Sequence, residues 1–445
     1  MTTVEDRPPT TTVLVWTALL LLPAIAVPLR VLPMTSYGRP IPWFTVVAGA
    51  VAALAALAVV WRWPDKGWRW TVLIGCLLGL SSGALLFVTA ADLDVMGTVA
   101  TASAMTVLVG TLGTAGWLAQ AGWRALAAVV AGLAVLTSQI GHVTRAIELL
   151  PQWGLPALFA VTGAASLAAV ILLGLGADYR SAGTRMSGRV ILTAAVAALI
   201  PVAFAVTSWL RPQGKSEGGE AFLDRVREIG LVAVVIVAVI AALAVWAGPR
   251  PALGVLSLGA LTAGSYQLTA YAAFIASGER VPELRFVREP GLGTTTWLLI
   301  LAGLAVGVAF ALPGIRGYLG AAAALAAALS LYLADSHGAT SPLWPQVAVA
   351  ALVAAVVAGV AAVCDGPSAA AVGITGFLLG GALARVDGLW TLSFSDPVYT
   401  KDFVNWMPVA LMGAAAVGLA VFTYLGLRAQ RHDSATTATP MPVDA

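Results

Sequence analysis

The feature that most constrains this chain is a succession of long apolar runs, each about the 20 residues a bilayer-spanning helix needs. About fourteen can be read between charged or Pro/Gly breaks. They cover 13–33, 41–60, 70–90, 95–117, 125–147, 154–176, 190–210, 229–247, 252–277, 294–312, 318–334, 343–363, 369–385 and 406–427, with the eleventh the weakest. The runs are continuous and do not alternate, which excludes a membrane β-barrel. A backbone in lipid must satisfy its own hydrogen bonds, so helices are required. The expected fold class is an all-α polytopic membrane protein.

Composition closes the remaining routes. Of 445 residues, 60% are hydrophobic and 10% charged, against about 25% charged in soluble domains. Such a chain cannot clothe a water-facing surface, and disorder demands the opposite bias. The net charge is +3 and the basic residues are scattered through loops, so no nucleic-acid partner is expected. Cys76 and Cys364 read as two unpaired structural cysteines. No ligand-spaced Cys/His cluster occurs, so no metal and no cofactor is expected.

The first run is too long for a signal-peptide core and lacks a basic leader, so it reads as a retained span. The Thr/Ala/Pro-rich tail after Arg431 reads as disordered. An even span count puts both termini on one side, and the basic loops 61–69 and 176–189 favour the cytoplasm. The heavy Ala, Val, Gly and Leu usage suggests a bacterial plasma membrane.

The two ends of the chain echo each other. Pro156 and Gly174-Leu175 in the sixth run match Pro408 and Gly426-Leu427 in the last. Gly141 to Glu148 and Gly381 to Asp387 both place an arginine four residues after a glycine, with an acid following. Pro64-Asp65-Lys66-Gly67-Trp68 resembles Pro313-Gly314-Ile315-Arg316-Gly317-Tyr318. Taken in order, these echoes imply two six-helix halves, 13–188 and 251–428. An inserted pair at 189–250 and tails at 1–12 and 429–445 complete the division. Paired halves are the usual construction of secondary transporters.

Asp65-Lys66-Gly67-Trp68-Arg69 resembles the cytoplasmic loop motif of the major facilitator superfamily, Gly-x-x-x-Asp-Arg/Lys-x-Gly-Arg-Arg/Lys. The count of six plus two plus six resembles its fourteen-span branch. Trp61 replaces the leading glycine, and one residue is missing before Gly67. The resemblance implies that Asp65 latches an inward gate with Lys66 and Arg69. It implies transport of a small solute by alternating access, with protons as the candidate coupling ion. The fourth run carries no basic residue and the fifth no Gly-Pro pair, so proton-driven drug antiport is poorly matched.

Polar groups inside apolar runs are costly and often functional. Ser138, His142 and Arg145 share one helix face beside Gln139, with Glu148 a turn beyond. Thr262, Tyr266 and Thr269 share a face of the ninth run, and Gln267 and Tyr271 an adjacent one. The candidate solute-binding residues are Ser138, Gln139, His142, Arg145, Tyr266, Gln267 and Tyr271. For each face the alternative is hydrogen bonding between helices. Arg385 and Asp387 are candidate outer-gate residues, and Asp335 with His337 is read as a solvated pair in an outer loop. Glycine stripes at Gly75/Gly79/Gly83 and Gly303/Gly307 read as helix packing. The segment 220–229 reads as a short amphipathic surface helix. Trp43, Trp61, Trp63, Trp68, Trp153, Trp209, Trp344 and Trp406 read as interfacial anchors.

The favoured reading is therefore a secondary transporter, an exporter, of a small organic apolar or amphipathic solute. The alternative is a non-transporting membrane subunit with a membrane-protein partner. An intramembrane enzyme ranks last, because no nucleophile motif or metal spacing accompanies the few titratable groups.

Overall fold

The structure is a computed structural model. It describes residues 11, 15, 43–64, 66–88, 93–140, 163–165, 167–168, 171, 186–209, 219–268, 271, 275, 294–312, 315–337, 341, 343–394 and 406–437. These residues are helical or in turns, and no strand occurs among them. The helices are α1 (Trp43–Arg62), α2 (Gly67–Val88), α3 (Leu93–Gln120), α4 (Arg124–Ile140) and α5 (Gly188–Ala197). They continue with α6 (Ile200–Trp209), α7 (Gly219–Ala247), α8 (Pro249–Ser265), α9 (Thr294–Ala311) and α10 (Arg316–His337). The last three are α11 (Leu343–Val363), α12 (Ala369–Phe394) and α13 (Trp406–Thr437).

Among the described residues, nine helices are long and apolar enough to cross a membrane. The expected runs 13–33 and 154–176 lie largely outside the described residues. The weak eleventh run is a full helix, α10. Its alanines are good helix formers, which offsets its lower apolarity. Two expectations are corrected here. The segment 220–229 is the first part of the continuous helix α7 and not a separate surface helix. Asp335 and His337 lie in the last turn of α10 and not in a loop.

The turns between helices are short and made by backbone-permissive residues. Gly122 at φ +89° carries the chain from α3 into α4, a conformation side chains resist. Gly248 at φ +131° separates α7 from α8, and Pro249 follows at the first helical position, where its fixed φ starts a helix and its missing N–H costs nothing.

Glycines set the helix spacings. A Cβ at Gly75 would lie 2.5 Å from Val107 of α3, and one at Gly110 would lie 2.8 Å from Val72 of α2. These contacts make α2 and α3 a close antiparallel pair. Gly49 faces Thr101 and Gly113 faces Val60, so α1 runs parallel to α3. Gly303 and Gly307 meet Ala350, Val353 and Val357, so α9 runs parallel to α11. Gly320 meets Ala358, pairing α10 with α11. The triad α9–α11 thus repeats the arrangement of α1–α3. Helix α11 is the most enclosed span, 72% buried, while α7 is 22% buried and forms an outer face.

Contacts between the early and late helices run α3 to α12 and α4 to α11 and α9. Among the described residues, the glycine contacts between them lie toward the end that carries the α1–α2, α3–α4, α9–α10 and α11–α12 turns, called here the basal end. A Cβ at Gly116 would lie 2.5 Å from the Gly366 carbonyl and 2.6 Å from Ala369. Gly373 abuts Leu112, and Gly132 abuts Val357. Helices α5, α6 and α7 lie against α12, and α5 and α6 also reach α1.

Candidate functional site

Two polar clusters stand out, one at each end of α8, α10 and α12. At the end opposite the basal turns, α8 passes into a turn at Tyr266 and regains helical form at Gln267 and Leu268. The Tyr271 hydroxyl donates to the Asp335 carboxylate of α10. A tyrosine in a span must find such a partner because lipid offers none. Tyr266 faces Arg385 of α12: a Cβ at Gly381 would lie 3.8 Å from an Arg385 terminal nitrogen and 3.9 Å from the Tyr266 hydroxyl. Arg385 Nη1 donates to the Gly381 carbonyl at 2.9 Å. Its guanidinium sits 4.2 Å from the centroid of Phe204 in α6, a cation–π contact that desolvation strengthens. In the same last turn of α10 as Asp335, His337 Nδ1 and the Ser336 hydroxyl share a hydrogen bond at 2.7 Å. Tyr332 stacks on Trp406 at 5.3 Å.

The expected site residues are placed unevenly. Ser138 is buried, and its hydroxyl donates to the Ala134 carbonyl of its own helix at 2.7 Å. The Gln139 side chain, His142, Arg145 and Glu148 lie outside the described residues, so the α4 face is not assembled further. Tyr266 and Gln267 are half-buried at the α8 break. Thr262 is buried against α12 and approaches the Gly376 carbonyl at 3.3 Å, so it serves helix packing. Asp335 enters the cluster as the partner of Tyr271. The spacing of two residues 64 apart in sequence carries no signal of that bond. The Asp387 side chain lies outside the described residues.

At the basal end, Asp65 lies outside the described residues, while Lys66 is exposed. Arg69 is buried, its guanidinium 5.1 Å from the Trp68 ring. Trp68 is corrected from interfacial anchor to core residue: it is 1% exposed and packs on Trp117 at 5.5 Å. Gly113 of α3 faces it, and a Cβ there would stand at ordinary contact distance, 3.4 Å from the Trp68 Cβ. Trp43, Trp61, Trp63 and Trp406 are exposed, as anchors should be.

The C-terminal counterpart of this loop carries an ion pair that the sequence did not single out. Arg316, first residue of α10, pairs with Asp365 in the α11–α12 turn. Both are largely shielded, with side chains 12% and 23% exposed. Arg124 and Arg250 lie within electrostatic reach of Arg316. Next to the pair, burial pushes the Cys364 thiol up to about 12. Both cysteines are free and buried. No group of three or more potential metal ligands occurs among the described residues.

No protein-family model matches the sequence, and no curated protein matches it. Solved structures do resemble the fold. The E. coli fucose:proton symporter FucP superposes with a TM-score of 0.50 at 12% identity, over 93% of this chain and 98% of that one. FucP is a major facilitator superfamily transporter. The human organic anion transporter MFSD10 (TETRAN) gives 0.47 at 16% identity, over 95% and 98%. The proton:xylose symporter XylE gives 0.44 at 14% identity, over 92% and 94%. The chain has the all-helical fold of major facilitator transporters.

Proposed function

We propose that this protein is a secondary transporter that exports a small organic, apolar or amphipathic solute by alternating access. The carrying observation is the division of labour between the two ends, within a fold shared with a sugar:proton symporter. Early and late helices meet through glycines at the basal end. At the opposite end, Tyr266 and Tyr271 just beyond α8, Asp335 on α10 and Arg385 on α12 offer hydrogen-bonding groups. Such an arrangement suits rigid bundles rocking about a central path.

The halves would be 13–188 and 251–428, with 189–250 inserted between them. The solute would contact Tyr266, Gln267 and Tyr271 on one side, and the face of Ser138, Gln139, His142 and Arg145 on the other. Few charges lie in the spans, which favours an apolar or amphipathic solute. Asp65, Lys66 and Arg69 would gate the basal end, and Arg385 and Asp387 the opposite one. Arg62, Lys66, Arg124, Arg189, Arg250, Arg316 and Arg428 all lie toward the basal end, which supports a cytoplasmic assignment for it. Asp335, as a carboxylate held by Tyr271, is the favoured proton-coupling group.

The test is uptake of a panel of fluorescent amphipathic dyes and neutral sugars into proteoliposomes. At least one solute should move, faster with an imposed pH gradient. Tyr266→Phe and His142→Ala should lower that flux several-fold while leaving the unfolding midpoint unchanged. Absence of flux for every solute, with a stable membrane-protein partner co-purifying, would favour the subunit reading.

A further inference from the structure

Arg385 is a cation inside a candidate membrane span, Ala369–Val386, where a charge is costly unless it is compensated. Helix α12 starts at the basal end, so Gly381 lies one turn deeper in the span than Arg385. The guanidinium folds back onto that deeper turn, with Nη1 donating to the Gly381 carbonyl at 2.9 Å. A snorkelling arginine does the reverse and carries its head out to the interface. The guanidinium also lies over the Phe204 ring at 4.2 Å, and the helix that carries Phe204, α6, rests on α1 of the early helices as well.

This compensation stops short of neutralising the charge. Among the described residues, no carboxylate pairs with Arg385. The carboxylate at the same end, Asp335, is bonded by Tyr271. Arg316, by contrast, has its Asp365. A guanidinium carries five N–H donors, and the Gly381 bond uses one of them. Room for an acceptor lies beside it. The Arg385 Nη1 and the Tyr266 hydroxyl both come within 4 Å of the point a Gly381 Cβ would occupy, and beyond the helix's own turn no other described residue does. Two hydrogen-bonding groups, from α12 and from the turn after α8, therefore border one hollow over a glycine. Arg385 is exposed, so a ligand can reach it.

We propose that Arg385 and Tyr266 bind the anionic head of the solute, an oxyanion such as a carboxylate, so that the solute is an amphipathic organic anion. The proposal rests on the transport reading and narrows its solute class. The oxyanion accepts from the uncommitted guanidinium donors and from the Tyr266 hydroxyl. A carboxylate matches a guanidinium in charge and in planar geometry. The Phe204 ring keeps water from one side of the pair, and a drier setting strengthens such bonds. The arginine assigned to the gate is then also the anchor of the solute.

The probes are phenylbutyrate, phenylbutyramide and phenylbutylamine, which share one skeleton and differ in charge. The full chain is held in phosphatidylcholine nanodiscs, and the rise of its unfolding midpoint with probe concentration gives each affinity. The acid should bind about tenfold more tightly than the amide, and the amine least of all. Arg385→Gln should lose that preference, and Arg385→Lys should recover most of it, which separates loss of the charge from a folding defect. Tyr266→Phe should weaken the acid about threefold. Equal affinity for acid and amide, or an acid preference that survives Arg385→Gln, overturns the proposal. Phosphatidylglycerol added to the nanodiscs tests the other source of an oxyanion. If that lipid is retained through Arg385 and excludes the acid, the site belongs to a lipid headgroup and the solute assignment falls. Flux into proteoliposomes separates the proposal from the reading beneath it. Arg385-dependent binding of the acid with no solute moved upholds the anion site and overturns transport. Flux of a dye or sugar with no Arg385-dependent preference for the acid does the opposite.

Discussion

The triads α1–α3 and α9–α11 share one arrangement and are held by different chemistry. In the first, hydroxyls tie the helices together. Ser103 of α3 donates to the Gly75 carbonyl of α2 at 2.6 Å, Ser82 of α2 donates to the Met96 carbonyl at 3.2 Å, and Thr45 and Thr98 meet at 2.8 Å. In the second, glycine against backbone does the work: a Cβ at Gly303 would lie 2.5 Å from the Ala350 carbonyl oxygen. The hydroxyl of Thr296 in α9 is buried there without a partner. The same geometry therefore comes from directional bonds that fix register in one place, and from close apolar contact in the other. At Gly303 and Gly307 the contacts of the second triad are with alanine and valine residues. Its polar anchor lies at its end, where Arg316 meets Asp365.

The comparison can be broken first at the glycines. Gly303→Val should cost about 3 kcal/mol, because a backbone carbonyl cannot move aside as a side chain does. Gly113→Ala in the first triad should cost almost nothing, since its Cβ would find ordinary contacts at 3.4 Å. Reversible unfolding in mixed micelles measures both, and equal costs would erase the distinction. Next in size, Asp365→Asn leaves the shielded Arg316 unpaired among two other cations and should cost about 2 kcal/mol. Lys66→Gln, at the exposed counterpart in the first triad, should cost less than about 0.5 kcal/mol.

Smaller effects should carry opposite signs. Ser103→Ala removes a cross-helix bond worth about 0.6 kcal/mol within a membrane. Thr296→Val removes a buried hydroxyl that bonds nothing and should be neutral or stabilising. A loss of stability in Thr296→Val would show a polar tie in the second triad after all. The last prediction concerns rate. The thiolate is the reactive form, and burial holds Cys364 protonated up to about 12. Its alkylation should be slow at neutral pH and keep rising about tenfold per pH unit where an ordinary thiol levels off. A plateau near pH 9 would mean that the basal end is open enough to solvate it.

Most of the helix positions were legible because lipid imposes a length and an apolar composition on each span, and both are local properties. The Arg316 loop was also visible, as an echo of the Lys66 loop. Its partner was not, because Asp365 reaches it from a turn some fifty residues later, and contact between turns leaves no local pattern. Tyr271 with Asp335 was hidden for the same reason. Trp68 misled in a different way. A tryptophan between a charged turn and a span reads as an anchor, but here it turns inward and packs on Trp117 of α3. The amphipathic pattern of 220–229 was real as a pattern, yet α7 simply continues through it. For the proposed site, the α8 positions were legible as polar residues in an apolar run. Their partners came only with the fold.

Helices α8 and α12 run parallel and are meshed along their length. Leu379 fills the groove at Gly259, Leu258 that at Gly376, and Thr262 that at Gly380. Meshed this way they behave as a single stiff beam. One end of the beam, near Ala369, bears on Gly116, and Arg385 lies about 24 Å further along at 1.5 Å per residue. A tilt of about 5° at the Arg385 end would swing the far tip by about 2 Å, by the same helix arithmetic. A Cβ at Gly116 would already overlap the Gly366 carbonyl at 2.5 Å, so a residue as small as alanine there holds the beam off its seat.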